Sequence, residues 1–143
     1  AFTCPAPPGG ICLDQPHIAA DRVNTATGQD QVYAVWRDFQ NFATPMITCS
    51  KNGGTQWVAP LPVGQGDFPR ISVAPDGFVY VTFRANSSLM VSKFSQCSAP
   101  GGFALLFTQT IDTIANEGGM CPLPGLDRCL SGNPALFRGP RVC

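Results

Sequence analysis

The sequence predicts an all-β protein in which short strands pair antiparallel in four-stranded units. Stretches rich in Val, Ile, Tyr and Phe alternate with turns rich in Gly and Pro, which number 15 and 14 among the 143 residues. No stretch shows the periodicity of a helix. The strand-like stretches also recur along the chain in the same order, so the units are expected to be repeats of one another.

Two copies of the repeat occupy the middle of the chain. Residues 16–21 (PHIAAD) align with 69–74 (PRISVA), 32–37 (VYAVWR) with 79–84 (VYVTFR), and 47–51 (ITCSK) with 89–93 (LMVSK). The offsets are 53, 47 and 42 residues, and they shrink because the first copy has longer loops. Repeats of this length with several short strands are typical of propeller blades.

Each copy predicts an inner strand, a Val-Tyr strand, a third strand ending in Ser-Lys, and a fourth strand after a turn. Gly53 and Gly54 supply the turn in the first copy, whereas a longer cysteine-containing turn replaces it in the second. The expected strands lie near residues 17–20, 31–37, 45–50 and 57–61, then 70–74, 78–84, 88–94 and 103–110.

The chain accordingly divides into four segments. We expect an N-terminal disulfide loop (1–15), a first blade (16–63), a second blade (64–119), and a cysteine-containing loop with an irregular tail (120–143). A propeller closes with at least about four blades, and two do not suffice. The expected architecture is therefore an incomplete propeller, as in a fragment or a truncated product of a larger one.

Composition excludes several classes of partner. Nine basic and nine acidic residues give a net charge of zero, so nucleic acid is not an expected partner. The longest apolar runs fall far short of the roughly 20 residues that cross a bilayer, so no membrane span is expected. Seven cysteines without CxxC pairs of zinc-site spacing indicate an oxidising location, either extracellular or periplasmic, and thus a secreted protein.

The cysteine spacing predicts local loops. Two pairs are each separated by eight residues around a Cys-Pro-x-Pro start, and two further cysteines near the third strands are then available for a bridge between blades. The expected local pairs are Cys4 with Cys12 and Cys121 with Cys129. Cys49 and Cys97 are then available for a bridge between blades, and Cys143 is left free or intermolecular.

The turn of the first copy carries a recognisable octapeptide. Ser50, Asn52, Gly54 and Trp57 stand at the positions of the pattern S-x-D-x-G-x-x-W, with Asn52 in place of the Asp. The octapeptide resembles the Asp-box of the sialidase and BNR-repeat families. Asn52 is expected to cap backbone N–H groups, the glycines to supply positive φ, and Trp57 to pack between blades.

The resemblance implies a sialidase-like propeller whose complete form recognises or hydrolyses a glycan, with a carbohydrate as ligand. The box itself builds the fold and lies away from the sugar pocket in these families, so it implies architecture before activity. The alternative is a non-catalytic extracellular module that binds a protein or acts as a scaffold. Whether the complete protein is an enzyme stays open, and this chain alone is expected to be inactive.

Sialidases hold the substrate carboxylate with three arginines, and the matched strand ends offer candidates for such a role. The candidate ligand-binding residues are Arg37, Asp38, Arg70 and Arg84. The competing interpretation is that the arginines are solvated rim residues or pair with Asp38 and Asp67. The F/Y-R-I-P motif of sialidases is absent, and Tyr33 and Tyr80 are expected in the core, so no catalytic residue is assigned.

No cofactor and no metal are expected, because His17 is the only histidine and no cluster of His, Cys and acidic residues has ligand spacing. Calcium bound by loop aspartates such as Asp14, Asp21 and Asp30 stays an open alternative without a local signature. Two blades without neighbours would expose apolar faces. Val35, Trp36, Val81 and Phe83 are expected on these faces, so self-association through them, or through Cys143, is a further expectation.

Overall fold

The computed structural model describes residues 13–26, 28–39 and 44–113. This part of the chain is all-β, as the sequence predicts, and forms two four-stranded antiparallel sheets. Sheet 1 contains β1 (Leu13–Ala26), β2 (Gln29–Asp38), β3 (Thr44–Ser50) and β4 (Leu61–Pro62). Sheet 2 contains β5 (Asp67–Val73), β6 (Val79–Ala85), β7 (Ser88–Phe94) and β8 (Leu105–Thr113).

Within each sheet the strands lie side by side in chain order, so each copy of the sequence repeat forms its own sheet. The short connections favour this arrangement, because antiparallel neighbours need only a tight turn between them. None of the described residues forms a helix long and apolar enough to span a bilayer.

The strands that differ most from the prediction are β1 and β4. β1 begins at Leu13, inside the segment assigned to the N-terminal loop, because Leu13 and Asp14 pair with the end of β2. The fourth strand of sheet 1 is not found at 57–61 and consists only of Leu61–Pro62. Pro60 and Pro62 have no N–H to donate, so they prevent a longer ladder with β3.

The core lies between the two sheets. β2 alternates buried and partly exposed residues, as expected for a strand with one covered face. Strand β5 lies against β1, β2 and β3 of sheet 1. The buried apolar cluster contains Tyr33, Val35, Ile47 and Cys49 from sheet 1 and Ile71, Val79, Val81, Phe83 and Phe94 from sheet 2, with Val63 and Cys97 from the loops.

The expectation that Val35, Val81 and Phe83 lie on open faces is wrong, because these side chains are at most 1% exposed between the sheets. Neighbours along a strand point to opposite sides. Trp36 therefore lies on the other face of sheet 1, where it is half-buried.

The segment that joins the sheets passes tightly over the core. The Val63 N–H donates to the Pro45 carbonyl at 2.8 Å, and the Val63 carbonyl accepts a hydrogen bond from Ser92 Oγ at 2.9 Å. A Cβ on Gly66 would overlap the backbone oxygen of Arg84 and lie 2.5 Å from Phe83 Cδ2. Only glycine fits this close approach without displacing backbone.

A disulfide joins Cys49 at the end of β3 to Cys97 in the loop after β7, and this confirms the predicted bridge between the two repeats. Both cysteines are buried. The predicted pairs Cys4–Cys12 and Cys121–Cys129, and the remaining Cys143, lie outside the described residues.

Candidate functional site

Three of the four predicted ligand-binding residues lie where β2 and β6 end. Arg37 Nη1 donates to Asp67 Oδ2 at 2.6 Å, and this ion pair joins sheet 1 to sheet 2. Asp67 is also the cross-strand partner of Arg84 on β6. Asp38, next to Arg37, lies opposite Thr44 across the β2–β3 ladder.

The Arg37–Asp67 pair is well shielded from water, with the two side chains only 22% and 24% exposed. The Arg37 guanidinium also lies 4.4 Å from the centre of the Phe39 ring. A guanidinium binds a carboxylate through parallel N–H donors, and Asp67 already supplies that partner. A ligand carboxylate at Arg37 therefore has to compete with Asp67. For Arg37, this contact matches the alternative in which the arginines pair with acidic neighbours.

The backbone that presents Asp67 is unusual. Asp67 Oδ1 accepts a hydrogen bond from the Phe68 N–H at 2.8 Å, Phe68 has φ of +56°, and Pro69 follows. The β5–β6 ladder is interrupted at this point. A bulky residue with positive φ is a genuine outlier, so this corner is held by its surroundings.

The same corner occurs in sheet 1. Asp14 Oδ1 accepts from the Gln15 N–H at 2.8 Å, Gln15 has φ of +52°, Pro16 follows, and the β1–β2 ladder is interrupted there too. Asp14 is the cross-strand partner of Arg37, as Asp67 is of Arg84. We call residues 14–16 and 67–69 the Asp-x-Pro corners.

Sequence reasoning missed these corners, although the signal was present. The repeat alignment that starts at Pro16 and Pro69 extends two residues further back, where Asp14 matches Asp67. The positive φ at the middle residue has no signal in the sequence, because neither Gln15 nor Phe68 is a residue that favours it.

Arg70 makes a different contact. Its Nη1 donates to the Pro69 carbonyl at 2.8 Å. Partial burial lowers the pKa of His17, and the nearby Arg70 charge lowers it further. His17 Nδ1 accepts a hydrogen bond from the Ile71 N–H at 3.0 Å, so the neutral imidazole connects β1 to β5.

The octapeptide turn after β3 has the capped geometry that its residue types predict. Asn52 Oδ1 accepts from the Gln56 N–H, and Ser50 Oγ accepts from the Gly54 N–H, both at 2.9 Å. Gly53 and Gly54 have φ of +66° and +90°. Asn52 thus performs the capping that an Asp would perform at this position.

The expectation that Trp57 packs between blades is wrong, because this side chain is 43% exposed. The ring covers the turn instead, and a Cβ on Gly54 would lie 3.7 Å from Trp57 Cζ2. The physical reason is the short fourth strand. Residues 57–60 form no ladder that would turn the ring toward the core.

Tyr33 is part of a buried polar network at the opposite end of the sheets. Its hydroxyl donates to Gln31 Oε1 at 3.3 Å and accepts from the Cys97 N–H at 3.2 Å. Gln31 Oε1 also accepts from the Ser98 N–H at 2.8 Å. Burial raises the pKa of Tyr33. The expected core position of Tyr33 is confirmed, and its hydroxyl ties the loop that carries the disulfide to sheet 1.

Tyr80, the equivalent residue of sheet 2, is only half-buried, so the prediction of a core position is wrong for it. The Lys93 ammonium lies 3.7 Å from the centre of the Phe78 ring and 5.4 Å from that of Tyr80. No group of three or more His, Cys, Asp or Glu side chains within residues 13–26, 28–39 and 44–113 is arranged to hold a metal ion.

An apolar cleft of about 340 Å³ opens on the face of sheet 1 that points away from sheet 2. Leu13, Ile18, Ala34 and Trp36 line it. Ile18 and Leu13 are 64% and 51% exposed, so this face has apolar surface without cover from the described residues.

A scan against protein-family models, a search of curated proteins and a search of solved structures each gave no match for this chain.

Proposed function

We propose that the chain is a two-blade segment of a secreted, sialidase-like propeller whose complete form recognises or hydrolyses a glycan. The observation that carries the proposal is the repetition of one unit. Two consecutive four-stranded antiparallel sheets pack face to face, and each begins with an Asp-x-Pro corner opposite an arginine. The Asn52-capped turn and the buried Cys49–Cys97 disulfide support a propeller of the Asp-box type in an oxidising location.

The ligand in this proposal is a sugar that carries a carboxylate, and the binding site is the group formed by Arg37, Asp67 and Arg84. Asp67 pairs with Arg37 and is the cross-strand partner of Arg84, so two arginines and one aspartate stand together at this end of the sheets. A ligand carboxylate is attracted to the Arg84 side of the group, because Asp67 already pairs with Arg37.

We expect no hydrolysis by the isolated chain. A propeller assembles its pocket from several blades, and residues 13–26, 28–39 and 44–113 include no glutamate that could act beside a Tyr. The Tyr33 hydroxyl is held within the polar network. Release of a fluorogenic leaving group from a sialoside, at a rate lost in an Arg37→Ala variant, would refute this expectation.

Glycan binding is tested by saturation-transfer NMR with a sialoside and with the same glycoside lacking the carboxylate. We expect transfer to the sialoside only, its loss in Arg84→Gln, and its retention in Arg70→Gln, which removes a charge outside the Arg37–Asp67–Arg84 group. Equal transfer to both glycosides, or none to either at millimolar concentration, would contradict a carboxylate site.

The second candidate is a non-catalytic extracellular module that binds a protein or serves as a scaffold. The Arg37–Asp67 ion pair favours it, because an arginine that joins two blades has a sufficient structural role. Absence of transfer to either glycoside, together with an intact fold, would support this candidate.

A further inference from the structure

The turn between β6 and β7 carries the sequence Asn86-Ser87-Ser88. This is the pattern N-x-S/T, with x other than Pro, that accepts an N-linked glycan in proteins of the secretory pathway. The other asparagines of the chain lack it, because none of them has Ser or Thr two residues later. We propose that Asn86 is a site of N-glycosylation and carries an oligosaccharide on its side-chain nitrogen.

Asn86 lies at the tip of a tight hairpin. Ala85 and Ser88 are the last cross-strand pair of β6 and β7, so Asn86 and Ser87 alone form the loop. Both loop residues are exposed. A glycan is bulky and hydrophilic, and at such a position it extends into water without displacing either strand.

The side chain of Asn86 is available for modification. The hydrogen bond at this residue runs from Arg84 Nε to the Asn86 carbonyl at 2.7 Å, and among the described residues the Asn86 side chain takes part in none. By contrast, the side chains of Asn24 and Asn52 hold neighbouring residues through hydrogen bonds. Attachment of a glycan at Asn86 therefore breaks no described contact.

Backbone geometry accounts for one half of the pattern. Asn86 has φ of +53°, and asparagine tolerates this conformation better than most residues do. The turn does not require a hydroxyl at Ser88, which is the first residue of β7. Replacement of Ser88 separates the two explanations, because it leaves Asn86 and its turn in place.

The Cys49–Cys97 disulfide supports the compartment that this chemistry needs. Disulfides persist in the oxidising lumen of the endoplasmic reticulum, where oligosaccharides are also transferred to asparagine. The inference rests on the secreted location in the proposed function, and it does not depend on the proposed sugar site.

The donor is an oligosaccharide linked through pyrophosphate to a membrane lipid, and the secretory pathway supplies it with its transferase. The Asn86 side-chain nitrogen forms a bond to C1 of the first sugar as the bond between C1 and the pyrophosphate oxygen breaks. The lipid pyrophosphate leaves with the electron pair of that bond, and one proton leaves the amide nitrogen. No group is oxidised or reduced. Transfer precedes folding, so the hairpin has only to leave room for the finished glycan.

The test is expression of the full chain behind a secretion signal in cultured mammalian cells. The mass of the chain from cells and medium is measured before and after treatment with peptide N-glycosidase. We expect one glycan per chain, removed by the enzyme, which leaves Asp in place of Asn86. Asn86→Gln and Ser88→Ala should each abolish the glycan. Ser87→Ala is the matched control because it changes the variable position of the pattern, and Ser88→Thr keeps the hydroxyl, so both should carry the glycan.

A wild-type chain that has lost its secretion signal and carries no glycan would overturn the proposal, as would a glycan that persists in Ser88→Ala. Because transfer precedes folding, a variant that folds poorly and stays in the cell still reports on the site. Sialoside binding is measured on Ser88→Ala, which should carry no glycan of its own. A glycosylated chain whose Ser88→Ala variant binds no sialoside refutes only the sugar site, and a sialoside-binding chain that is never glycosylated refutes only the modification.

Discussion

Removal of the Cys49–Cys97 disulfide in a Cys49→Ala/Cys97→Ala variant should lower the free energy of unfolding by about 4 kcal/mol. The bridge closes a sequence separation of 48 residues, and the chain-entropy relation for a loop of that length gives this value. Ordinary domains are stable by about 5 to 15 kcal/mol, so the variant should be marginal. Both cysteines lie in the core, and replacement by Ala avoids introducing a polar group there.

Urea unfolding of the oxidised wild type and of the double variant measures the difference. The matched control is Cys121→Ala/Cys129→Ala, whose predicted loop of eight residues should contribute only about 2 to 3 kcal/mol. A loss below about 1 kcal/mol for Cys49→Ala/Cys97→Ala would refute the loop-closure reasoning. Peptide mapping without reduction should recover Cys49 linked to Cys97, and a peptide linking Cys12 to Cys121 would contradict the local pairs.

Three further predictions follow from the described contacts. Trp57→Ala should lower the free energy of unfolding in urea by about 1 kcal/mol or less, because the ring is 43% exposed. Asn52→Ala should lower it by about 1 to 2 kcal/mol, because it removes the acceptor that caps the Gln56 N–H. A larger loss for Trp57→Ala than for Asn52→Ala would contradict the turn geometry. Gly66→Ala should lower the free energy of unfolding by about 1 to 3 kcal/mol, because the new Cβ overlaps the backbone oxygen of Arg84. Gly101→Ala is the control and should leave stability nearly unchanged, because no atom lies within 4 Å of the new Cβ. The pKa of His17 is lower in the folded chain than its usual 6.5, so the unfolded chain takes up the proton first and stability should fall as pH drops below 6.5. His17→Gln should remove this fall in stability in the pH range between 6.5 and the carboxylate titrations near about pH 4. If the variant shows the same fall, His17 is not its cause.

The sheet pattern was predictable because it depends on local chemistry. The apolar run of Val, Tyr, Ala, Val and Trp along β2 is rich in strand-forming residues, and the repeat identifies β6 as its counterpart. The Cys49–Cys97 bridge could be anticipated for the same reason, since both residues lie near the ends of equivalent strands. What such a run does not give is the side of each strand that meets a neighbouring sheet. Val35 and Trp36 lie on opposite faces of any strand, but the sequence does not show which of the two faces sheet 2.

The site was less predictable, because it is formed by packing between sheets. Arg37 and Arg84 stand at equivalent strand ends, but nothing local shows that Asp67 takes Arg37 as its partner. The position of Trp57 failed for a different reason. Its prediction rested on the octapeptide alone, while Pro60 and Pro62 further along prevent the strand that would have carried the ring inward.

The Arg37–Asp67 pair connects the fold to the proposed glycan site. The pair is structural within the chain, since it joins the end of β2 to the corner that starts β5. Arg84 stands at the equivalent strand end of sheet 2, and Asp67 is its cross-strand partner. A ligand carboxylate therefore has to compete with Asp67 in this group, so glycan binding and the contact between the two sheets involve the same aspartate.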